Sequence, residues 1–199
     1  MNIKFELDDL LAEARRTTVG NVSDYDSLCE FDFHRNLVKY INPQASITPQ
    51  YPCPCNGKQY RLDFMVKRGE KTIGLECDGE EFHDWERDVI RDNAILGNGY
   101  VDEIIRIAAK DIYYNCDTVL FLISRTHPDL FSDRGTVNLA QLVHPAFADL
   151  KYTNEDGLIW VAVPDFDKPE LRSHIQLWRH MKSNRPLRAV VPKWKAVTA

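Results

Sequence analysis

The sequence lacks several features that define other classes of protein. No apolar run reaches the roughly 20 residues of a membrane-spanning helix, and the N-terminal stretch MNIKFELDDLLAEARR carries acids where a secretory signal has its apolar core. The five cysteines are an odd number without framework spacing, which excludes a disulfide-stapled fold and fits reduced thiols. No internal repeat or low-complexity tract is present. We therefore expect a cytoplasmic protein without membrane association.

Basic residues are too few for a general nucleic-acid coat, because 25 Lys and Arg stand against 30 Asp and Glu, a net charge of −5. Their distribution is uneven. Residues 171–199 contain seven Lys or Arg and no acid, with Trp178 and Trp194 among them, whereas the preceding part carries a net charge of −12. Such an end suits binding to a phosphate backbone, and it equally suits a basic helix docked on the acidic body.

The remaining composition is typical of one soluble globular domain with an appendage, at 199 residues, 44% hydrophobic and 28% charged. Periodicity predicts helices over 7–14, 23–40, 83–96 and 110–123. It predicts strands over 46–52, 61–66, 72–78 and 101–107, with a loop over 52–58. This order predicts an α/β fold with a mixed sheet flanked by helices. Beyond Ser124 the signals are weaker and predict a strand over 157–163 and a helix over 169–182.

We accordingly divide the chain into a core over residues 1–125, which includes the N-terminal helices, and a C-terminal extension over residues 126–199. The extension is expected to hold one strand and a basic helical end.

Residues 61–83, RLDFMVKRGEKTIGLECDGEEFH, place acids inside two strand-like runs. The Gly-Glu pair at 69–70 predicts a two-residue type II′ hairpin loop, and this register sets Asp63 opposite Glu76. Because side chains alternate across a strand, Asp78 shares their face. The other face is expected to receive Leu62, Phe64, Leu75 and Cys77.

Two directly opposed carboxylates repel each other, because their Cβ atoms lie only about 4.5–5.5 Å apart. A hard cation such as Mg²⁺ would relieve this repulsion, since it typically takes one or two carboxylates and completes its shell with water and substrate phosphate. The alternative is the ordinary solvated face of an edge hairpin.

The order of these motifs resembles a known family. Glu30 on an early helix, Asp63 in a strand, ECDGEEFH (76–83) after a hairpin, then RDNAILGNGY and the strand EIIRI, are similar to the very-short-patch-repair-like, DUF559-type branch of the PD-(D/E)XK nuclease superfamily. The similarity covers roughly residues 23–123. It implies a restriction-endonuclease-like fold and hydrolysis of DNA phosphodiester bonds, as an endonuclease or nickase that uses Mg²⁺ or Mn²⁺.

Carried over by position, Asp63 resembles the metal-binding Asp of the family and Glu76 its second acidic ligand. Glu30 resembles the helix acid that supports the site. The alternative for Glu30 is an ordinary helix-surface acid paired with basic groups or with His34.

Asp78 stands where the wider superfamily most often has Lys, and Asp78 with His83 resembles the pattern of this branch. His83 is expected to relay a proton or to bind the phosphate, and the alternative is a surface residue at a helix N-terminus. Leu62 replaces the usual Pro before Asp63. Lys67 is too far along the strand to substitute for the missing Lys.

Other residues leave further interpretations open. Arg87 and Arg91 form an exposed pair on the third predicted helix, which could contact DNA phosphates or pair with nearby aspartates. The absent motif Lys favours an alternative function, a non-catalytic nucleic-acid-binding module or a subunit of a DNA-processing or defence assembly with protein partners. The Cys-x-Cys pair of Cys53 and Cys55 favours a zinc-stabilised interaction protein, without a second Cys/His pair at close spacing.

Overall fold

The computed structural model describes residues 19–79, 85–144, 157–163, 173–181 and 195–197. The α-helices in these ranges are α1 (Leu28–Leu37), α2 (Trp85–Gly97), α3 (Ala109–Thr126) and α4 (Asp133–Leu142). The strands are β1 (Ser46–Cys55), β2 (Lys58–Arg68), β3 (Lys71–Asp78), β4 (Glu103–Ala108), β5 (Gly157–Val163), β6 (Ser173–Met181) and β7 (Lys195–Val197). The helix predicted over 7–14 lies outside the described residues.

The described strands form one mixed sheet in the order β1-β2-β3-β4-β6-β5-β7. β3 runs parallel to β4 and β5 to β7, and the other neighbours are antiparallel. The structure confirms the predicted α/β class and the element order from α1 to α3. The restriction-endonuclease-like arrangement within that class stays a prediction. No helix in the described ranges is both long and apolar enough to cross a membrane.

Helices cover both faces of the sheet. On one face, which we call the first cluster, α1 and α3 bury side chains against Ile73 and Ile105. On the other face, the second cluster, Ile95 and Leu96 of α2 pack with Ile104. Ile104 and Ile105 are adjacent in β4, so the two clusters lie on opposite sides of the sheet.

The hairpin between β2 and β3 has the predicted register. Phe64 pairs with Leu75 and Arg68 with Lys71, and Gly69 adopts a φ of 58°. A positive φ at the first loop position is what a type II′ turn requires, and glycine adopts it without strain. The ladder ends at Phe64 and Leu75, one level before Asp63 and Glu76 would pair.

β1 is an edge strand, as expected from its prolines, but it is longer than predicted. It continues through Cys55, and the predicted loop over 52–58 is reduced to a turn at Asn56 and Gly57. The φ angles of these two residues are 52° and 77°, which fits the type I′ turn that Asn-Gly favours. The prolines are tolerated because an edge strand has one side without a partner strand.

β1 and β2 exchange faces of the sheet at the level of Gln50 and Asp63. Phe64 packs in the first cluster, whereas Leu62, two residues earlier, packs in the second. In β1, Ile47 contacts the first cluster and Cys53 belongs to the second. Regular alternation would keep each pair on one side. The expectation that Leu62 shares a face with Phe64 is therefore wrong.

The first described α-helix begins at Leu28 and not at Ser23. The Oγ atom of Ser27 accepts the backbone N–H of Glu30 at 3.2 Å and donates to Glu30 Oε1 at 2.8 Å. Such a Ser-x-x-Glu pair is a capping signal, and it outweighs the earlier serine because it satisfies backbone groups at the helix start.

Residues 173–181 form the strand β6, so the helix predicted over 169–182 is wrong within the described residues. Ile175, Leu177 and Arg179 are all buried, which is the two-residue period of a strand. β6 pairs with β4 on one side and β5 on the other, and these long-range partners decided the conformation. The division of the chain at residue 125 stays a prediction, but strands from both parts share one sheet.

One residue of the basic end is committed to the interior. The Nη2 atom of Arg179 donates to Glu103 Oε2 at 2.9 Å, and His127 Nε2 lies 3.1 Å from the same oxygen. All three side chains are buried. Arg179 therefore belongs to the packing of β6 on β4 and α3, as the docked alternative for this segment expects. Residues 182–194 lie outside the described part of the chain.

Candidate active site

Carboxylates from three elements meet where β2 separates from β3. Asp63 comes from β2, Glu76 from β3 and Glu30 from α1. Burial, followed by the negative charges of Glu76 and Glu30, raises the pKa of Asp63 to about 8. The structure thus brings together the three acids that the resemblance selects.

Glu30 is a buried, fully engaged acid and not a helix-surface residue. Its side chain accepts hydrogen bonds from the Ser27 hydroxyl at 2.8 Å, the Asp26 backbone N–H at 3.3 Å and Gln50 Nε2 at 2.5 Å. His34 is not among these partners, because its Nδ1 lies 2.6 Å from the Tyr25 hydroxyl. Burial lowers the pKa of His34 to about 4, so its ring is neutral. The three donors hold the Glu30 carboxylate in a single place.

The side chain of Asp63 accepts a backbone hydrogen bond from β3 at a level where β2 and β3 no longer pair. Its Oδ2 accepts the backbone N–H of Cys77 at 2.7 Å, beyond the end of the ladder between β2 and β3. One carboxylate oxygen is thereby anchored to β3. In the described part of the chain no Lys or Arg forms an ion pair with Asp63, which fits its raised pKa.

Glu76 is buried to a greater degree and is only partly neutralised. Its Oε2 is paired with Nη2 of Arg91 from α2, and the side chains are 4% and 23% exposed. Its Oε1 is buried and finds no hydrogen-bond partner among the described residues. Burial raises the pKa of Glu76 to about 7, although the charges of Arg91 and Arg106 act in the opposite direction.

Asp63 and Glu76 carry the type of oxygen donor that a hard divalent ion takes. They are two oxygen donors, the number with which Mg²⁺ is typically held, and the unpartnered Oε1 together with the raised pKa values shows that positive charge is lacking. No group of three His, Cys, Asp or Glu side chains in the described ranges is arranged as a metal site. Water and substrate phosphate would have to supply the remaining ligands of such an ion.

Asp78, expected as a third free carboxylate on this patch, is committed to an ion pair. Both of its oxygens accept from Arg106 Nη1, at 2.8 and 3.0 Å. The other side of the same guanidinium donates to both oxygens of Asp92, at 2.8 and 2.9 Å, and Asp92 also contacts His180. Asp78 therefore helps to hold β4 and α2 against β3. A catalytic role for it stays a prediction.

The other predicted residues have mixed outcomes. His83 lies outside the described residues. Arg87 is exposed, whereas Arg91 is mostly buried and points to Glu76, so the expectation of an exposed arginine pair is wrong. Cys53 and Cys55 are buried, and their thiols donate to backbone carbonyls of Tyr51 and Cys53. Burial raises the pKa of Cys53 to about 12, as expected for a thiol in an apolar core.

Comparison of the chain with protein-family models, with curated proteins and with solved structures finds no match. The family assignment consequently remains a resemblance, and the case for function depends on the geometry of the site.

Sequence reasoning missed Arg106 and Gln50, and it placed Arg91 on the exposed surface instead of beside Glu76. Arg106 carries a signal, since it is the one charge inside the buried run IIRI, and in the parallel register it stands beside Glu76. Arg91 follows Arg87 at i+4 on the predicted helix, but nothing in the local sequence indicates that its partner is Glu76. Gln50 has no signal at all, because a glutamine between prolines in an edge strand is ordinary by composition.

Proposed function

We propose that the protein is a metal-dependent DNA endonuclease or nickase. The observation that carries the proposal is the pair of half-buried Asp63 and buried Glu76, two carboxyl groups with raised pKa values, of which Glu76 has an unpartnered buried oxygen. A protein core avoids such a pair unless it has a use, because uncompensated buried charge costs free energy. DNA as the substrate is supported by the sequence resemblance and by the basic residues that follow Met181.

In the proposed reaction, the oxygen of a water molecule bonds to phosphorus while the bond from phosphorus to a deoxyribose oxygen breaks. The water gives up one proton, and the leaving oxygen takes up one. Mg²⁺, when bound by Asp63 and Glu76, would supply positive charge that neutralises the phosphoryl oxygens. Glu30 keeps further negative charge beside Asp63 and so favours retention of a cation.

Arg91 has a distinct part in this proposal. Its guanidinium stays charged at any ordinary pH and donates five N–H groups, so it cannot take a proton from water. It therefore does not replace the missing Lys as a base. It can hold a phosphoryl oxygen by charge and hydrogen bonds, and its buried Nε has no partner among the described residues.

The test is a plasmid-cleavage assay with Mg²⁺ or Mn²⁺ beside the same assay in EDTA. We expect metal-dependent nicking or linearisation, and its loss in Asp63→Asn and in Glu76→Gln. Glu70→Gln is the matched control, because Glu70 lies in the exposed turn at the other end of the same hairpin. Normal cleavage by both site variants would show that the hairpin acids do not form the site.

A second candidate function is favoured by two specific contacts. Glu76 already has a cation in Arg91, and Asp78 already has one in Arg106. A non-catalytic nucleic-acid-binding module, working as a subunit of a larger assembly, would need no metal ion beside these two arginines. DNA binding without cleavage in either metal, and without a metal-induced rise in the melting midpoint, would favour this candidate.

A further inference from the structure

Gln50 has a backbone conformation that its residue type does not favour. It lies inside β1 with a φ of 52°, in the left-handed region that glycine adopts readily and a residue with a Cβ does not. Pro49 pairs with Phe64 and Tyr51 with Leu62, so Gln50 stands across from Asp63 at a level where these two described strands form no ladder pair. A glycine here would bend the strand with less strain.

The side chain of Gln50 provides the reason for a residue other than glycine. Its Nε2 donates to Glu30 Oε2 at 2.5 Å. This bond to a carboxylate sets the orientation of the amide, because the opposite orientation would place two acceptors against each other. The other amide atom, Oε1, is buried and has no hydrogen-bond partner in the described part of the chain.

These atoms lie at the candidate active site and not elsewhere in the core. Glu30, which Gln50 holds, acts on Asp63 by its charge, and Asp63 stands across from Gln50. Asp63 and Glu76 would use carboxylate oxygens to hold the metal, so the unpartnered carbonyl oxygen of Gln50 is a further acceptor that no metal occupies. An attacking water needs such an acceptor for one O–H, because its lone pair must be directed to phosphorus.

We propose that Gln50 is a positioning residue of the nuclease site, whose Nε2 fixes the Glu30 carboxylate and whose Oε1 accepts a hydrogen bond from the attacking water. The inference rests on the proposed function. In this role, the strained backbone of Gln50 serves catalysis, because the bend at Gln50 brings its amide group from the edge strand to the acids.

The decisive variant is Gln50→Gly. Glycine keeps the bend and relieves the strain, so the melting midpoint should hold or rise, whereas turnover should fall by about 10–100-fold, as for loss of a supporting hydrogen bond. KM, the metal-induced rise in melting midpoint and the DNA dissociation constant in Ca²⁺ should be unchanged, because Asp63, Glu76 and Arg91 remain. A purely structural role would affect the melting midpoint and leave turnover at the wild-type level.

Gln59→Gly is the matched control, since Gln59 is exposed at the far end of the same hairpin of β1 and β2, and turnover should be unaffected. If Gln50→Gly does not fold, Gln50→Asn takes its place, because Asn tolerates a left-handed φ but is one methylene too short to reach Glu30 in the same way. Wild-type turnover in a folded Gln50 variant would overturn this inference alone. Absence of metal-dependent cleavage by the wild-type protein would overturn it together with the proposed function.

Discussion

At the scale of single residues, the site is defined by charge that the protein does not compensate. Asp63 accepts a hydrogen bond from a backbone N–H, but no cation is paired with it among the described residues. Only one of the two carboxylate oxygens of Glu76 is paired with Arg91. By contrast, Asp92 and Asp78 are fully paired with Arg106 a short distance away. The contrast between these fully paired acids and the incompletely paired Asp63 and Glu76 is what separates the site from a structural ion-pair network.

The raised pKa of Asp63 predicts a specific dependence of stability on pH. Its pKa is about 8 in the folded protein and near 3.8 unfolded, so the folded state binds the proton more tightly. Stability is therefore greatest below the unfolded pKa and falls as pH rises between the two values, by at most about 1.4 kcal/mol per pH unit. In EDTA, the wild-type protein should melt at a lower temperature at pH 8 than at pH 5.

Asp63→Asn should reduce the loss of stability as the pH rises, because the amide oxygen of Asn still accepts the Cys77 N–H but does not titrate. Asp32→Asn is the control, since Asp32 pairs with Arg35 on the exposed side of α1 and should leave the slope as it is. Thermal unfolding at several pH values measures both. An identical pH slope in the wild-type protein and Asp63→Asn would show that Asp63 titrates normally.

At the scale of elements, two tight turns set the register of β1, β2 and β3. The Asn56-Gly57 turn and the Gly69-Glu70 turn each need a positive φ. Because side chains alternate, a slip of one residue in either hairpin would send Asp63 or Gln50 to the wrong side of the sheet. The position of the acids thus depends on turn geometry as much as on the strands that carry them.

Gly57→Ala should destabilise the protein by about 1–2 kcal/mol, because Gly57 has a φ of 77° that alanine tolerates poorly. Among the described residues, no heavy atom beyond those of its chain neighbours lies within 4 Å of the added Cβ, so the cost is conformational and not steric. Gly97→Ala is the matched control: it lies in α2, also in open space, and alanine should stabilise the helix by up to about 1 kcal/mol. Chemical denaturation compares the two. Equal effects of both substitutions would refute the turn assignment.

At the scale of the whole molecule, the C-terminal part of the chain completes the sheet. β6 lies between β4 and β5, and its Ile175 and Leu177 belong to the first cluster. β7 lies at the edge of the described sheet, where β5 is its one partner strand. Removal of β6 should therefore destabilise the fold much more than removal of β7.

Deletion of residues 173–199 should abolish cooperative unfolding, since it exposes the edge of β4 and leaves Glu103 without Arg179. Deletion of residues 182–199 should leave a folded protein, because the edge strand β7 is the only described element that it removes. It also removes five basic residues, namely Lys182, Arg185, Arg188, Lys193 and Lys195. Under the proposed function, DNA affinity should fall and its salt dependence should become shallower, by about 0.9 in logarithmic slope for each DNA phosphate that the protein no longer neutralises.

The control for the shorter deletion is the full-length protein with these five residues changed to Gln. It should reproduce the loss of affinity and salt slope with the wild-type melting midpoint. A folded, cooperative protein ending at residue 172 would contradict the role of β6. An unchanged salt slope in the shorter deletion would show that this end does not contact DNA.

The sequence by itself determined what local rules control. Turn glycines set the register of the hairpin, strand-like apolar runs predicted β2 to β4, and helical spacing predicted α2 and α3, so Asp63 and Glu76 could be selected without a structure. The motif order added Glu30. Each of these features depends on residues close together in the chain, whose conformational preferences act before any distant partner is present.

The tertiary structure decided what depends on distant partners. A run with helical spacing became β6 because β4 and β5 flank it, and Arg91 became a site residue because α2 lies over β3. Gln50 and Glu30 meet although 20 positions separate them. Pairings of this kind are selected by the burial and charge of the assembled core, and no local pattern of residues encodes them.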